Sequence, residues 1–570
     1  MAEISVWAPN PKSLAICIEG ETVEIIRDSL GWASFIDDRI TEGSRYGFVV
    51  DSSSPLPDPR SRSQPDGIHG LSAFVEAARA DATGGPLPPS VIYEMHIGTF
   101  SREGSFKSAI DHLDHISALG ADCVEIMPVA AFPGNRGWGY DGVDLFAVHN
   151  SYGERGDLVE LVAAIHDRGM SALIDVVYNH LGPSGNYLAR FGPYFTKRYS
   201  TPWGDAVNFD DSGSREVRAF VIDNARMWLE EFGFDGLRID AAHAIYDMSA
   251  THILEELANS CKETGAKLGR PIFLSVESDM NNPRLVSGHA EGGYGFDAHW
   301  NDDFHHILHA LLTGERDGYY ADFCSVEQLG RCLTGGYVYD GRYSEYRGRV
   351  HGRPFPTELA GSRLIGFLQN HDQIGNRALG DRIGMIAGPR AQKIGAALVM
   401  TAPFIPLIFQ GEEWGASTPF QYFTDHEEPD LAEAVRRGRR REFASFGWRP
   451  ADVPDPQAAE TFQNSKLDWD ELKAGEHAEM LEWYQSLISL RKGTPSLCDG
   501  DLAGVAAESD GGSQTLVVRR GPITVAANFS SEDRTVPAEG KILLASDDEI
   551  SVDADGLSLP GVSVAVLGID

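Results

Sequence analysis

Leu173-Ile174-Asp175-Val176-Val177-Tyr178-Asn179-His180 decides how the chain is read. It is an apolar run that finishes in polar and ionisable groups. Three later segments repeat the pattern: Gly236-Leu237-Arg238-Ile239-Asp240, Phe273-Leu274-Ser275-Val276-Glu277 and Phe367-Leu368-Gln369-Asn370-His371-Asp372. A strand buried on both faces reads as a continuous apolar run, and barrel enzymes carry their chemistry where such strands end. One acidic strand end would carry little weight. Three acids in separate runs, with an arginine two residues before one and a histidine beside another, are hard to read as solvated surface.

Outward from these runs, strand and helix patterns alternate from Val91 onward, as in βαβ units on a parallel sheet. Eight strands are expected, starting near Val91, Ala121, Ser171, Gly236, Pro271, Gly295, Leu364 and Pro403. The clearest intervening helix carries Val217, Phe220, Val221, Trp228 and Phe232 at helical spacing, a stripe that packs on a core. The expected fold is α/β, a (β/α)8 TIM barrel over residues 86–493. Long loops follow the second and third strands, from Pro128 to Gly156 and from Leu181 to Asp211. Loops of that length in a compact domain are usually functional. Both are rich in Trp, Tyr, Phe, Gly and Asn, which stack on sugar faces and hydrogen-bond hydroxyls. Tyr319 to Pro356 reads as a Gly/Tyr-rich insertion with weak periodicity, and a helix around Glu479 to Leu490 closes the barrel.

Residues 1–85 alternate short β-type runs, such as Ile4-Ser5-Val6-Trp7 and Tyr46-Gly47-Phe48-Val49-Val50, with turn-rich stretches. That is the pattern of a small β-sandwich. Pro-, Ser- and Gly-rich linker signals run from Ser52 to Pro65 and from Gly84 to Pro89. Residues 494–570, with Thr515-Leu516-Val517-Val518 and Ile523-Thr524-Val525-Ala526-Ala527, are expected to form a C-terminal β-sandwich.

The chain has 570 residues, of which 42% are hydrophobic, enough for a large core with attached domains. Its 84 acidic and 48 basic residues leave a net charge of −36. Such a surface repels phosphate backbones and anionic membranes, which argues against a nucleic-acid partner and suits a neutral substrate such as a sugar. Cys17, Cys123, Cys261, Cys324, Cys332 and Cys498 lack zinc-ligand spacing and are expected as reduced core residues of a cytoplasmic protein. No signal peptide is visible, and no apolar segment is long enough to span a bilayer.

Retaining glycoside hydrolysis needs two carboxyl groups close together, one an ionised nucleophile and the other a protonated acid. Residues two apart in a strand share a face, so Arg238 can hold Asp240 charged. Glu277 follows Phe273, Leu274 and Val276 with no cation adjacent in sequence, which suits a raised pKa. Asp372, beside His371, can hold sugar hydroxyls and favour an oxocarbenium-like transition state, and His180 and His371 can donate to hydroxyls of the same ring. The bland readings are a structural Arg238–Asp240 salt bridge, and strand-end acids that cap the following helix. Asp175, Asn179 and His180 are conceivable metal ligands, but neither a calcium nor a zinc pattern is complete. No catalytic metal and no cofactor are expected, and a lone structural calcium near Asn179 is the one metal reading left open.

With these segments in hand, the chain resembles the α-amylase superfamily, whose strand-end motifs they match almost position for position. That resemblance implies Asp240 as nucleophile, Glu277 as acid/base and Asp372 as transition-state stabiliser. It also implies Asp175, His180, Arg238 and His371 around the cleaved glucosyl unit, with Tyr140 in Gly137-Trp138-Gly139-Tyr140-Asp141 as its stacking platform. Within the superfamily the chain is most similar to the maltooligosyltrehalose trehalohydrolase family. The matching stretches include Leu56-Pro57-Asp58-Pro59, Tyr93-Glu94-Met95-His96-Ile97-Gly98-Thr99-Phe100, Asp297-Ala298-His299-Trp300-Asn301-Asp302-Asp303-Phe304-His305-His306 and Gly411-Glu412-Glu413-Trp414-Gly415-Ala416-Ser417-Thr418-Pro419-Phe420. The implied substrate is maltooligosyltrehalose or a related α-glucan. A glycogen branching enzyme, a general α-1,4-glucan hydrolase and a non-catalytic α-glucan-binding protein are the alternatives. His243, Asp279 and Gln373, just beyond the three acids, are candidates for reading the trehalose side.

Overall fold

The computed structural model describes residues 2–77, 80, 84–444, 449 and 451–569. Eight parallel strands close into a barrel: Ile92–Met95, Cys123–Ile126, Ser171–Val176, Gly236–Ile239, Phe273–Val276, Ala298–Trp300, Leu364–Phe367 and Ile405–Phe409. Each pairs with the next in chain order, and the eighth pairs with the first. These are the eight strands expected from the sequence. The sixth is the shortest.

Alternation along each strand explains the barrel's interior. Ile92, Cys123, Leu173, Phe273, Ile365 and Leu407 point inward and form an apolar plug with Trp300 and Phe367. Residues two further along face the same way. On four adjacent strands that next inward position is ionisable: Glu94, Glu125, Asp175 and Arg238, with Glu94 opposite Glu125 and Asp175 opposite Arg238 in register. The outward positions pack under the helices. The helix Ser214–Glu230 buries Val217, Phe220, Val221 and Trp228 against the sheet, as its stripe predicted.

The loop after the third strand is built from a short helix, Leu188–Phe191, and a hairpin, Phe195–Thr201 with Gly204–Val207. It is backed by the N-terminal sheets. Ala2–Trp7 pairs with Trp32–Asp37, while Leu14–Ile18, Arg45–Val50 and two short strands form a four-stranded sheet. Trp7 meets Tyr194 edge-on at 5.3 Å, and Phe48 meets Phe191 at 6.1 Å. Arg62 pairs with Glu231 just past the barrel helix. Eight strands near the C-terminus form a five-stranded and a three-stranded sheet around Val517, Ala526, Leu557 and Ala565. Arg520 ties this unit to the barrel by donating to the Thr401 carbonyl at 2.8 Å.

Two expectations need correction. Tyr319 to Pro356 is more regular than its weak periodicity suggests: it holds a helix, Val326–Gly335, and a hairpin, Asp340–Ser344 with Arg349–Gly352. Ser325 and Gln328 form a reciprocal capping box, and Val326, Leu329, Cys332 and Leu333 face the core. The stripe is only ten residues long, between Gly- and Tyr-rich flanks. The cysteines are all free, but Cys324 and Cys498 are exposed and only the other four are core residues. Among the described residues no helix is long and apolar enough to cross a membrane.

Candidate active site

The carboxyl end of the barrel gathers the segments quoted above. Arg238 is fully buried on the fourth strand, and its guanidinium lies 4.3 Å over the Trp300 ring. Nη1 donates to Asp175 at 2.8 Å and to Asp240 at 2.7 Å, while Nη2 donates to Glu277 at 2.8 Å. One planar fork thus joins carboxylates from three strand ends, a geometry an ammonium group could not reproduce. Asn179 donates to the other oxygen of Asp240 at 3.1 Å.

Directly after Asp240 the chain turns sharply. Ala241 adopts φ 38° and ψ 51°, a left-handed conformation that costs a residue with a Cβ on the order of 1 kcal/mol. The turn aims the Ala241 N–H at Glu277 Oε2, 2.9 Å away, and the Ala242 N–H at the Glu277 carbonyl. Burial pushes the Glu277 carboxyl up, and Arg238 opposes that shift only in part. The upward direction is the one expected from the sequence, but burial causes it, against the pull of Arg238, which reaches Glu277 from the neighbouring strand. Burial also pushes Asp175 up to about 7 against the pull of Arg238.

Asp372 is not on a strand. The seventh strand ends at Phe367, and His371 and Asp372 open a short helix, His371–Gly375. Asn370 caps that helix by accepting from the Gln373 N–H at 2.9 Å, which leaves Asp372 uncommitted as a cap. Its Oδ1 accepts from Asn376 at 3.1 Å, and its Oδ2 lies 3.5 Å from His371 Nε2. Burial raises the Asp372 carboxyl, with His371 pulling the other way.

Tyr140 reaches in from the loop after the second strand. Its hydroxyl donates to Asp175 at 2.6 Å and its ring stacks on His371, centroids 5.2 Å apart. His180 faces the Tyr140 carbonyl at 3.0 Å and Asn179 Oδ1 at 2.6 Å. Both His180 nitrogens thus meet protein atoms, and its reach runs through Tyr140 and Asn179. Of the conceivable metal ligands, Asp175 accepts from Arg238 and Tyr140, Asn179 donates to Asp240, and His180 meets Asn179 and the Tyr140 carbonyl. Among the described residues no group of three or more His, Cys, Asp or Glu side chains could hold a metal ion.

Beside Glu277 and Asp372 opens a cavity of about 590 Å³, lined in part by Asp279, Tyr346, Arg347 and Gln373. Arg347, from the turn of the insertion hairpin, pairs with Asp279 at 2.9 Å, and His243 stands 3.9 Å from the same carboxylate. Burial would raise Asp279, but His243 and Arg347 hold it below its ordinary value. All eleven residues singled out from the sequence therefore surround one mouth.

Sequence reasoning missed three contributors. Trp203, at the hairpin tip, stacks on His180 at 4.3 Å and remains 50% exposed. Arg347 lies in the insertion that read as irregular. Glu94 hydrogen-bonds both the ring and the backbone N–H of His371. Its signal was present, since Ile92 and Glu94 are two apart on a strand whose apolar member faces inward.

Comparison with known proteins agrees with this geometry. The family model for the α-amylase catalytic domain matches residues 56–200, and one for a domain of unknown function, DUF3459, matches residues 500–566. The malto-oligosyltrehalose trehalohydrolase of Rhizobium sp. (strain M-11) is 45% identical, covering 99% of this chain and 97% of its own. That of Mycobacterium tuberculosis (strain H37Rv) is also 45% identical, over 100% and 99%. A crystal structure of a protein described as a putative alpha amylase from Salmonella typhimurium superposes with a TM-score of 0.90 at 36% identity, covering 100% of this chain and 97% of that one. With that similarity running end to end and the buried fork of Arg238 at its centre, the chain belongs to the malto-oligosyltrehalose trehalohydrolase family of the α-amylase-type glycosidases.

Proposed function

We propose that this chain hydrolyses the α-1,4 bond next to the terminal trehalose of maltooligosyltrehalose, releasing trehalose and a shortened maltooligosaccharide. The observation that carries this reading is the Arg238 fork, which holds Asp240 and Glu277 side by side at the mouth of an end-to-end match to this family. Asp240, with donors on both oxygens, attacks the anomeric carbon. Glu277, which burial favours in its protonated form, gives its proton to the glycosidic oxygen as trehalose leaves. The glycosyl ester on Asp240 is then opened by water, whose proton returns to Glu277. Two displacements at one carbon restore the α configuration. Asp372 offsets positive charge on the ring, and the exposed face of Trp203 offers an apolar surface to a sugar ring.

The trehalose unit is assigned to the cavity beside Glu277 and Asp372. The polar groups there, among them the Asp279–Arg347 pair, can hydrogen-bond the hydroxyls of the bent α,α-1,1 disaccharide in a way a straight maltose end does not match. A site that hydrogen-bonds its substrate rejects analogues that cannot answer those bonds. A cytoplasmic location belongs to the same proposal, supported by six free cysteines. The deciding experiment compares kcat/KM for maltotriosyltrehalose and maltopentaose and follows the first product by NMR. Strong preference for the former with α-anomer release is expected. Equal values would leave a general α-1,4-glucan hydrolase, and transfer to a 6-hydroxyl would indicate a branching enzyme.

A further inference from the structure

Glu94 occupies the inward position of the first barrel strand, two residues beyond Ile92 in the apolar plug, and is only 1% exposed. Its carboxylate accepts the backbone N–H of His371 at 3.2 Å and makes a very close hydrogen bond with ring Nδ1. A carboxylate has no proton to give, so Nδ1 is the donor. The other nitrogen, Nε2, lies 2.8 Å from Tyr140 Oη. That hydroxyl has one proton, directed at Asp175 Oδ2, so it can only accept from Nε2. Both ring nitrogens then carry hydrogen.

The surroundings are consistent with this. His371 is faced by Glu94 and Glu125 from the first two strands, Asp175 from the third and Arg238 from the fourth, with His96, Tyr140 and Asp372 around the rim. Burial holds Glu125, whose two oxygens have no partner, towards its neutral acid. A proton on Asp175 has a place on Oδ1, which is also unpartnered, and leaves Oδ2 accepting from Tyr140 and Arg238. Glu94 is the acidic side chain bonded directly to the ring. Burial alone disfavours a charged imidazole here, yet the charges of Glu94 and Asp372 and the Glu94 hydrogen bond bring His371 up to about 9.

We propose that Glu94 is a positioning residue of the active site, which keeps His371 fixed and doubly protonated so that a cationic N–H stands beside Asp372 through the neutral pH range. The inference rests on the reading of Asp372 as a group that touches the cleaved sugar. With the imidazolium at 3.5 Å, Asp372 can remain a carboxylate despite its burial. With a neutral imidazole it would take up a proton more readily and lose its hold on the positively charged ring.

The test is Glu94→Gln, which keeps the side-chain shape and an acceptor for the His371 N–H. In wild-type protein labelled with 15N-imidazole histidine, and assigned with His371→Asn, the His371 nitrogens should stay doubly protonated through neutrality and deprotonate near pH 9. In Glu94→Gln they should deprotonate at or below the ordinary imidazole value of about 6.5. The wild-type to variant ratio of kcat should widen about tenfold or more between pH 5 and pH 8, with KM changing less and Glu94→Asp recovering part of the loss. A ratio that is flat with pH, as a purely structural role gives, or a wild-type His371 that deprotonates near 6.5, would overturn the proposal. A wild-type His371 that deprotonates near 6.5 overturns the proposal even if Glu94→Gln does not fold, and in that case Glu94→Asp, which keeps the charge but shortens the reach, supplies the comparison. It needs no substrate, so it is independent of whether trehalose or another glucan end is released.

Discussion

Arg238 and Glu277 stand 39 residues apart in the chain, yet Nη2 of one lies 2.8 Å from Oε2 of the other. The same guanidinium meets Asp240 and Asp175 through Nη1. A flat fork supported on Trp300 can satisfy three carboxylates at once, whereas a lysine presents a point charge. Arg238→Lys should therefore lower kcat roughly a hundredfold or more, the scale seen when a pre-organised donor is lost from a catalytic site. Arg238→Ala should additionally destabilise the fold by about 3–5 kcal/mol, because buried carboxylates lose their cation. Steady-state kinetics and chemical denaturation check the two outcomes separately.

Asp240→Asn should abolish nearly all turnover while the melting curve and glucan binding stay close to wild type, since an amide cannot form the glycosyl ester. Glu277→Gln should be as slow on natural substrate but partly recovered with an α-glucosyl fluoride, whose leaving group needs little protonation. Normal turnover by folded Asp240→Asn, or no recovery of Glu277→Gln, would exchange or remove these roles.

Arg347→Ala opens the cavity wall and releases Asp279. The ratio of kcat/KM for maltotriosyltrehalose over maltopentaose should fall by about tenfold, the scale of a lost polar contact to a leaving group. The rate on maltopentaose should change little. A ratio unmoved from wild type would take the hairpin turn out of substrate reading.

His371 also links stability to pH. Its folded-state value, about 9, lies above the ordinary imidazole value of about 6.5. A raised value means that the folded state binds the proton more tightly, so this contribution is complete below about 6.5 and fades as pH rises through about 9. Wild-type protein should lose more stability between those limits than His371→Asn, as read from urea midpoints. Parallel losses in the two proteins would exclude the linkage.

Much of the architecture was legible because the deciding signal is local. Each barrel strand is a short apolar run, and its final inward residue is named by counting in twos from the plug. Asp175, Arg238, Asp240 and Glu277 follow that count, and so does Glu94, which drew no attention because one acid in a strand is unremarkable on its own. Arg238 reaching Glu277 was beyond sequence reasoning, since strand register relates them and no spacing does. The insertion failed for a different reason. Its helix, Val326–Gly335, is ten residues long, and its apolar stripe gains meaning only from what it lies against.

What it lies against is the C-terminal sheet. Gly330 packs so near Ala507 and Leu516 that an added Cβ would sit 3.5 Å and 3.8 Å from their side chains, and Glu327 accepts the Gly511 N–H at 2.9 Å. The same insertion carries Arg347 into the cavity wall. The C-terminal module therefore acts as the abutment for one bank of the catalytic cleft. Gly330→Leu should wedge the two apart, so that selectivity between the two pentasaccharides declines while the turnover that depends on Asp240 and Glu277 is largely kept. Unchanged selectivity in a folded Gly330→Leu protein would mean that the bank stands without its abutment. Otherwise, the tail of the chain takes part in choosing what the barrel cuts.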